Sequence, residues 1–151
     1  MKNTDIKRYL LEHMRSAIQR QLDQLVQQEK NVLSMGNQEK MTGENLIESD
    51  SEEVMTSRQY LMEITDQLQA TLQRLATVSE DKVIDSIMLG AVVVTDTRRF
   101  FVSAASTPIN LGDNTYYPIS PASPLFIKMT NESKGGAFEF NDVQYKIQDV
   151  F

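Results

Sequence analysis

The chain has 151 residues and 17.2 kDa, with 15 Lys plus Arg against 21 Asp plus Glu, a formal net charge of -6 and a pI of about 4.8. This length accommodates one compact domain, or a small domain carrying an extended element, and no second large catalytic domain. The absence of cysteine excludes disulfides, thiolate nucleophiles and Cys-ligated zinc, and a single histidine, His13, excludes a histidine metal cluster and, unaided, a hydrolase triad.

Residues 1–10 carry Lys2, Asp5, Lys7 and Arg8 and lack an apolar core of signal-peptide length. No window approaches the roughly 18 apolar residues of a membrane span. A soluble, cytoplasmic protein with no membrane partner is therefore expected. The character of the chain changes near Val78. Before it there is no proline and glycine occurs only at Gly36 and Gly43; after it come all 4 prolines, the other 4 glycines and every phenylalanine. Two architectures are expected, a helical element over 1–80 and a sheet module over 81–151.

In the first, Leu11, Met14, Ile18, Gln21, Leu25, Gln28 and Val32 keep a three-four spacing, which holds one stripe on one side of a helix, and Leu22 and Val26 widen it. A second run, Val54, Leu61, Ile64, Leu68, Thr71, Leu75 and Val78, repeats the spacing, with Ser57 and Thr71 as polar lapses. Periodicity fails over 36–49, where Gly36, Asn37, Gly43 and Asn45 are turn residues. An antiparallel coiled-coil hairpin hides both stripes, with arms of about 25 to 30 residues, roughly 40 Å each. Gln21 and Gln28 are expected in the seam, where buried amides set register at a cost in stability. A parallel two-chain coiled coil is the competing arrangement; the central break favours the hairpin, and with it a monomer.

Beyond Val78, residues 91–94, 100–104, 116–119, 137–140 and 144–150 are short runs of β-branched and aromatic residues separated by turn signals. Along the last of these, Tyr145, Ile147 and Asp149 are expected on one face and Lys146, Gln148 and Val150 on the other. Ser123 at a cap position and Pro124 in a first turn predict a short helix over 124–129 lying across the sheet. The fold class expected is α+β: a helical hairpin followed by a small antiparallel sheet with one helix.

The densest chemical feature is acidic. Glu39, Glu44, Glu48, Asp50, Glu52 and Glu53 crowd the expected apex against Lys40 alone. Clustered carboxylates repel one another and favour a cation nearby. Helix-dipole placement at the start of the second helix and ordinary loop solubility explain the same residues without a ligand, and the spacing is not that of an EF-hand. On the first arm Lys2, Lys7, Arg8, Arg15 and Arg20 suit either phosphate or a solvated face interleaved with Asp5, Glu12 and Asp23. His13 reads as a surface or seam residue, Arg98 and Arg99 as turn residues. Most aromatics are assigned to the core, any left outside being a partner patch.

Three segments, Ile87-Met88-Leu89-Gly90-Ala91-Val92-Val93-Val94, Ile119-Ser120-Pro121-Ala122-Ser123-Pro124-Leu125 and Val143-Gln144-Tyr145-Lys146-Ile147-Gln148-Asp149-Val150, resemble the C-terminal domain of the bacterial GreA/GreB transcription elongation factors. The resemblance implies an FKBP-like C-terminal domain that docks on RNA polymerase and a coiled coil that enters its secondary channel. In that family the tip carries an Asp and a Glu separated by two residues, which help hold a second Mg ion and its attacking water in the polymerase active site during cleavage of backtracked RNA. The chemistry is two-metal catalysis, in which added carboxylates complete the shell of a weakly held cation. Asp50-Ser51-Glu52-Glu53 has the same Asp-x-x-Glu spacing, so Asp50 and Glu53 become the implied tip carboxylates, with Glu48 and Glu52 as auxiliaries to the Mg. No cofactor is implied for the chain alone, contact with nascent RNA is indirect, and the protein is an accessory factor and not a free-standing enzyme.

The tip also departs from the family. Where the family has Gly before the Asp, Asn after the Glu and an acidic-aromatic pair beyond, this chain has Ser49, Val54, Thr56 and Ser57. Two alternatives follow: a Gre-like competitor for the channel without cleavage activity, and a non-catalytic coiled-coil adaptor whose acidic tip serves solubility. Prolyl isomerisation by an FKBP-like domain ranks behind both, since no catalytic constellation stands out.

Overall fold

A computed structural model of the chain describes residues 2–42 and 47–151, with side chains for 2–31 and 55–151. The order is α1 (Asn3–Thr42), α2 (Ile47–Ala76), β1 (Val92–Thr95), β2 (Arg99–Val102), β3 (Ile109–Leu111), β4 (Asn114–Ile119), α3 (Pro124–Met129), β5 (Ala137–Phe140) and β6 (Val143–Val150). The class is α+β, with a long helix pair, a mixed sheet and one short helix. Two compact units result: Met1–Arg15 with Arg74–Phe151, and Ser16–Gln73. The sheet-bearing unit thus takes in the first turns of α1 and the end of α2 along with 81–151.

α1, at 40 residues, is longer than the expected arm, while α2, at 30, is within the expected length. α1 continues through Gly36 to Thr42, because one glycine costs only about 1 kcal/mol against alanine and helix formers Gln38, Glu39, Lys40 and Met41 follow it. Within Ser16–Gln73, Ile18, Leu22 and Leu61 are buried while Gln21 and Gln28 are exposed, which corrects the expected polar seam. A straight helix repeats every 3.6 residues, so the stripe drifts from Ile18 to Leu22 and leaves Gln21 outside.

In the other unit the sheet order is β3-β4-β2-β1-β6-β5. It is not wholly antiparallel as expected. β2 and β4 pair in parallel, from Arg99 opposite Tyr116 to Val102 opposite Ile119. The cause is β3, a strand of 3 residues that local patterning does not register. The chain leaves β2, forms β3 one strand-width further out, and folds back at Gly112, φ +62°, so that β4 fills the gap running in the same direction as β2. β3 begins at Ile109, opposite Tyr116, so Pro118, whose ring removes a donor, lies past that ladder.

The core gathers Ile87, Val93, Phe100, Val102, Ile119, Met129, Phe138, Tyr145, Ile147 and Val150, with Leu125 and Phe126 packed against it. α3 forms as expected: Ser123 caps it by accepting from the Phe126 N–H at 3.3 Å, and Pro124 occupies the first turn. β6 departs from the expected strict alternation at its C-terminal end. Its register against β1 slips between Val94 and Thr95, whose partners are Asp149 and Ile147. The bulge reverses parity, so Val150 joins Tyr145 and Ile147 inside and Asp149 is left half-exposed, 3.6 Å from the Lys134 ammonium.

Candidate functional site

Glu48, Asp50, Glu52 and Glu53 fall within the bounds of α2, and Glu39 within those of α1, but their side chains, and Glu44 entirely, lie outside the described residues. Among the described residues no group of three His, Asp or Glu could hold a metal ion. His13 is half-buried, its ring tilted against Tyr9 at 6.2 Å between centroids.

Near those carboxylates in sequence, within Ser16–Gln73, Gln28, Asn31, Ser57, Tyr60 and Leu61 line a cleft of about 370 Å³. Its walls offer amide, hydroxyl and phenol groups and one aliphatic side chain. The lining holds no carboxylate, imidazole or amine, and its groups suit the uptake of polar groups by hydrogen bonding. Beside it Arg58 pairs with Glu29 at 4.0 Å.

Three of the five first-arm cations that are candidates for phosphate, Lys7, Arg8 and Arg15, are otherwise engaged. Arg15 donates to Glu80 at 2.6 Å and to the Leu75 carbonyl at 3.1 Å. Arg8 donates to Asp81 at 2.8 Å and lies 3.7 Å from Glu80. The bond to Asp81 raises the Arg8 pKa further above its ordinary value. Lys7 is wholly buried, its ammonium donating to the Lys82 carbonyl at 3.0 Å, and burial lowers its pKa from 10.5 to about 8. Sequence reading placed Lys7 on a solvated or phosphate-facing side. The signal that marks it otherwise is its position four residues before Leu11, on the apolar stripe.

In the sheet, Phe138 stacks on Tyr145 at 5.0 Å, Phe100 meets Tyr145 edge-on at 5.6 Å, and the Arg98 guanidinium lies 4.8 Å from the Tyr117 ring centre. The aromatics are thus largely consumed by packing, and Arg98 has a ring partner besides solvent. Among the described residues every buried side-chain nitrogen and oxygen has a hydrogen-bond partner, so no orphaned polar atom marks a catalytic centre. Nor is any described helix long and apolar enough to cross a membrane. No protein-family model matches the chain, and no curated protein matches it.

Proposed function

We propose that the protein is a Gre-like regulator of bacterial RNA polymerase, acting in the cytoplasm as an accessory factor. The observation that carries this reading is the convergence of the three segments resembling the Gre C-terminal domain. Segments 87–94, 119–125 and 143–150 are remote in sequence, yet Ile87, Val93, Ile119, Ile147 and Val150 belong to one core with Leu125 packed on it. Residues that serve one compact module are what a docking domain requires, and an FKBP-like arrangement is the form proposed for it. An antiparallel hairpin is supported by the helix contacts: Arg15 reaches Leu75 and Glu29 reaches Arg58, so positions rise along α1 as they fall along α2.

In this reading the hairpin enters the secondary channel and Asp50 and Glu53, with Glu48 and Glu52 beside them, complete the shell of an Mg ion held by the polymerase. Nascent RNA is met only there, and the negative charge of the chain argues against independent nucleic-acid binding. Co-purification with polymerase tests docking, and cleavage of RNA in backtracked complexes tests the chemistry. Asp50→Ala and Glu53→Ala should each slow cleavage by roughly 10- to 100-fold, as losing a group that organises a metal shell does, with docking retained. Ser49, Val54, Thr56 and Ser57 favour a second reading, a channel competitor without cleavage. Binding with no stimulated cleavage by the unaltered protein selects it, and failure to bind polymerase at all overturns both in favour of a coiled-coil adaptor.

A further inference from the structure

The charged contacts at the base of α1 have a pattern that apolar packing alone does not require. Leu10, Leu11 and Met14 are buried on the first turns, and such a stripe is nearly self-similar under a slip of one turn. Moving the helix by four residues, about 6 Å along its axis, brings Met14 and Ile18 to the places of Leu10 and Met14. Moving it the other way brings Ile6 and Leu10 there. In either slip two of the three buried positions stay apolar.

The cations do not repeat. The first slip puts Leu11, Glu12 and Gln19 where Lys7, Arg8 and Arg15 stand, so a glutamate replaces the guanidinium that pairs with Asp81. The second puts Asn3, Thr4 and Leu11 there, so none of the three places keeps its cation and the native pairings with Glu80 and Asp81 are lost. We propose that Lys7, Arg8 and Arg15 form a register clasp, a charge pattern that admits one alignment of the first turns of α1 against residues 75–82 and rejects its one-turn neighbours. Lys7 contributes direction as much as attraction. Its buried ammonium finds the Lys82 carbonyl at 3.0 Å in the native alignment, and a displaced cation in a buried place would forfeit that bond. The lowered pKa of Lys7 is consistent with a group kept there at a cost in stability. Polar groups at apolar positions are used for this purpose in coiled coils.

The cysteine-free chain makes the test direct, because Val83→Cys, at an exposed position beside the clasp, accepts a single spin label. Relaxation enhancement of the amides of residues 3–15 then reads the alignment. The unaltered clasp should give one profile. Lys7→Met, Arg8→Glu and Arg15→Gln together should add a second profile displaced by about four residues at a population of roughly a tenth or more. An unchanged single profile in that variant overturns the proposal. Should the triple variant not fold, the exchanged pair Arg8→Asp with Asp81→Arg decides. It must keep the native profile while Arg8→Asp alone departs from it, and identical profiles for the two overturn the clasp.

Discussion

Lys7 shows how one residue converts a sequence pattern into a measurable property. Its position on the apolar stripe buries it, burial disfavours the ammonium, and its pKa falls from 10.5 to about 8. Below pH 8 the ammonium is present in both folded and unfolded chains, and the folded state bears the full penalty of burying it. Between pH 8 and 10.5 the unfolded chain holds more protons, so stability rises with pH and the penalty is gone above that window. Urea unfolding of the native chain should therefore gain stability from pH 8 to 10, and Lys7→Met should remove that gain; a parallel slope in the variant would assign the titration elsewhere. Gly90 is constrained by both its backbone and its neighbour. It has φ +91°, and a Cβ there would lie 2.5 Å from Val78 Cγ1. Gly90→Ala combines backbone strain with overpacking and should lower unfolding free energy by about 2 to 3 kcal/mol. Neither the positive φ nor the neighbour is visible from the segment 87–94, which signals only a glycine ahead of a strand.

At the scale of elements, strands and turns were legible where their chemistry is local. The β5–β6 turn at Asn141 and Asp142 is read from two residues that tolerate positive φ, and both adopt it, at 51° and 63°. Two central residues in the left-handed region favour Asn-Gly, so Asp142→Gly should stabilise the chain by about 0.5 to 1 kcal/mol in urea unfolding. A loss of stability there would mean that Asp142 contributes contacts beyond its backbone geometry. Asp96, in the β1–β2 turn, accepts from the Lys146 N–H at 2.9 Å, and that bond lowers its pKa below the ordinary 3.8. Its contribution is present above pH 3.8 and is lost as pH falls through the lower folded value. Asp96→Asn should flatten the acid limb of the stability profile. The β6 bulge, by contrast, was not legible. Strict alternation puts Asp149 inside, and only the pairing of β6 with β1 moves Val150 into the core. The length of α1 was missed for the opposite reason, since turn residues at Gly36 and Asn37 weigh less than the helix formers around them.

Over the whole molecule, the two compact units do not follow the composition change near Val78. Residues 1–15 belong with the sheet, fastened by Arg8 and Arg15 to Glu80 and Asp81 and by the burial of Leu10, Leu11 and Met14. A fragment comprising 74–151 should consequently melt below the full chain, and a peptide of residues 1–15 added in trans should raise its midpoint. An unmoved midpoint would show that the sheet does not depend on those turns. The sequence by itself determined the two kinds of architecture, the helix stripes, most strands, the Ser123-capped helix and the concentration of acid between Glu39 and Glu53, because each follows from periodicity, capping or charge within a few neighbouring residues. Only the tertiary structure decided the parallel β2–β4 pairing, the bulge that seats Val150, the burial of Lys7 and the engagement of Arg8 and Arg15 by a segment more than 60 residues away. Those depend on which distant surfaces meet, and local propensity carries no information about a partner 60 or 70 residues along the chain.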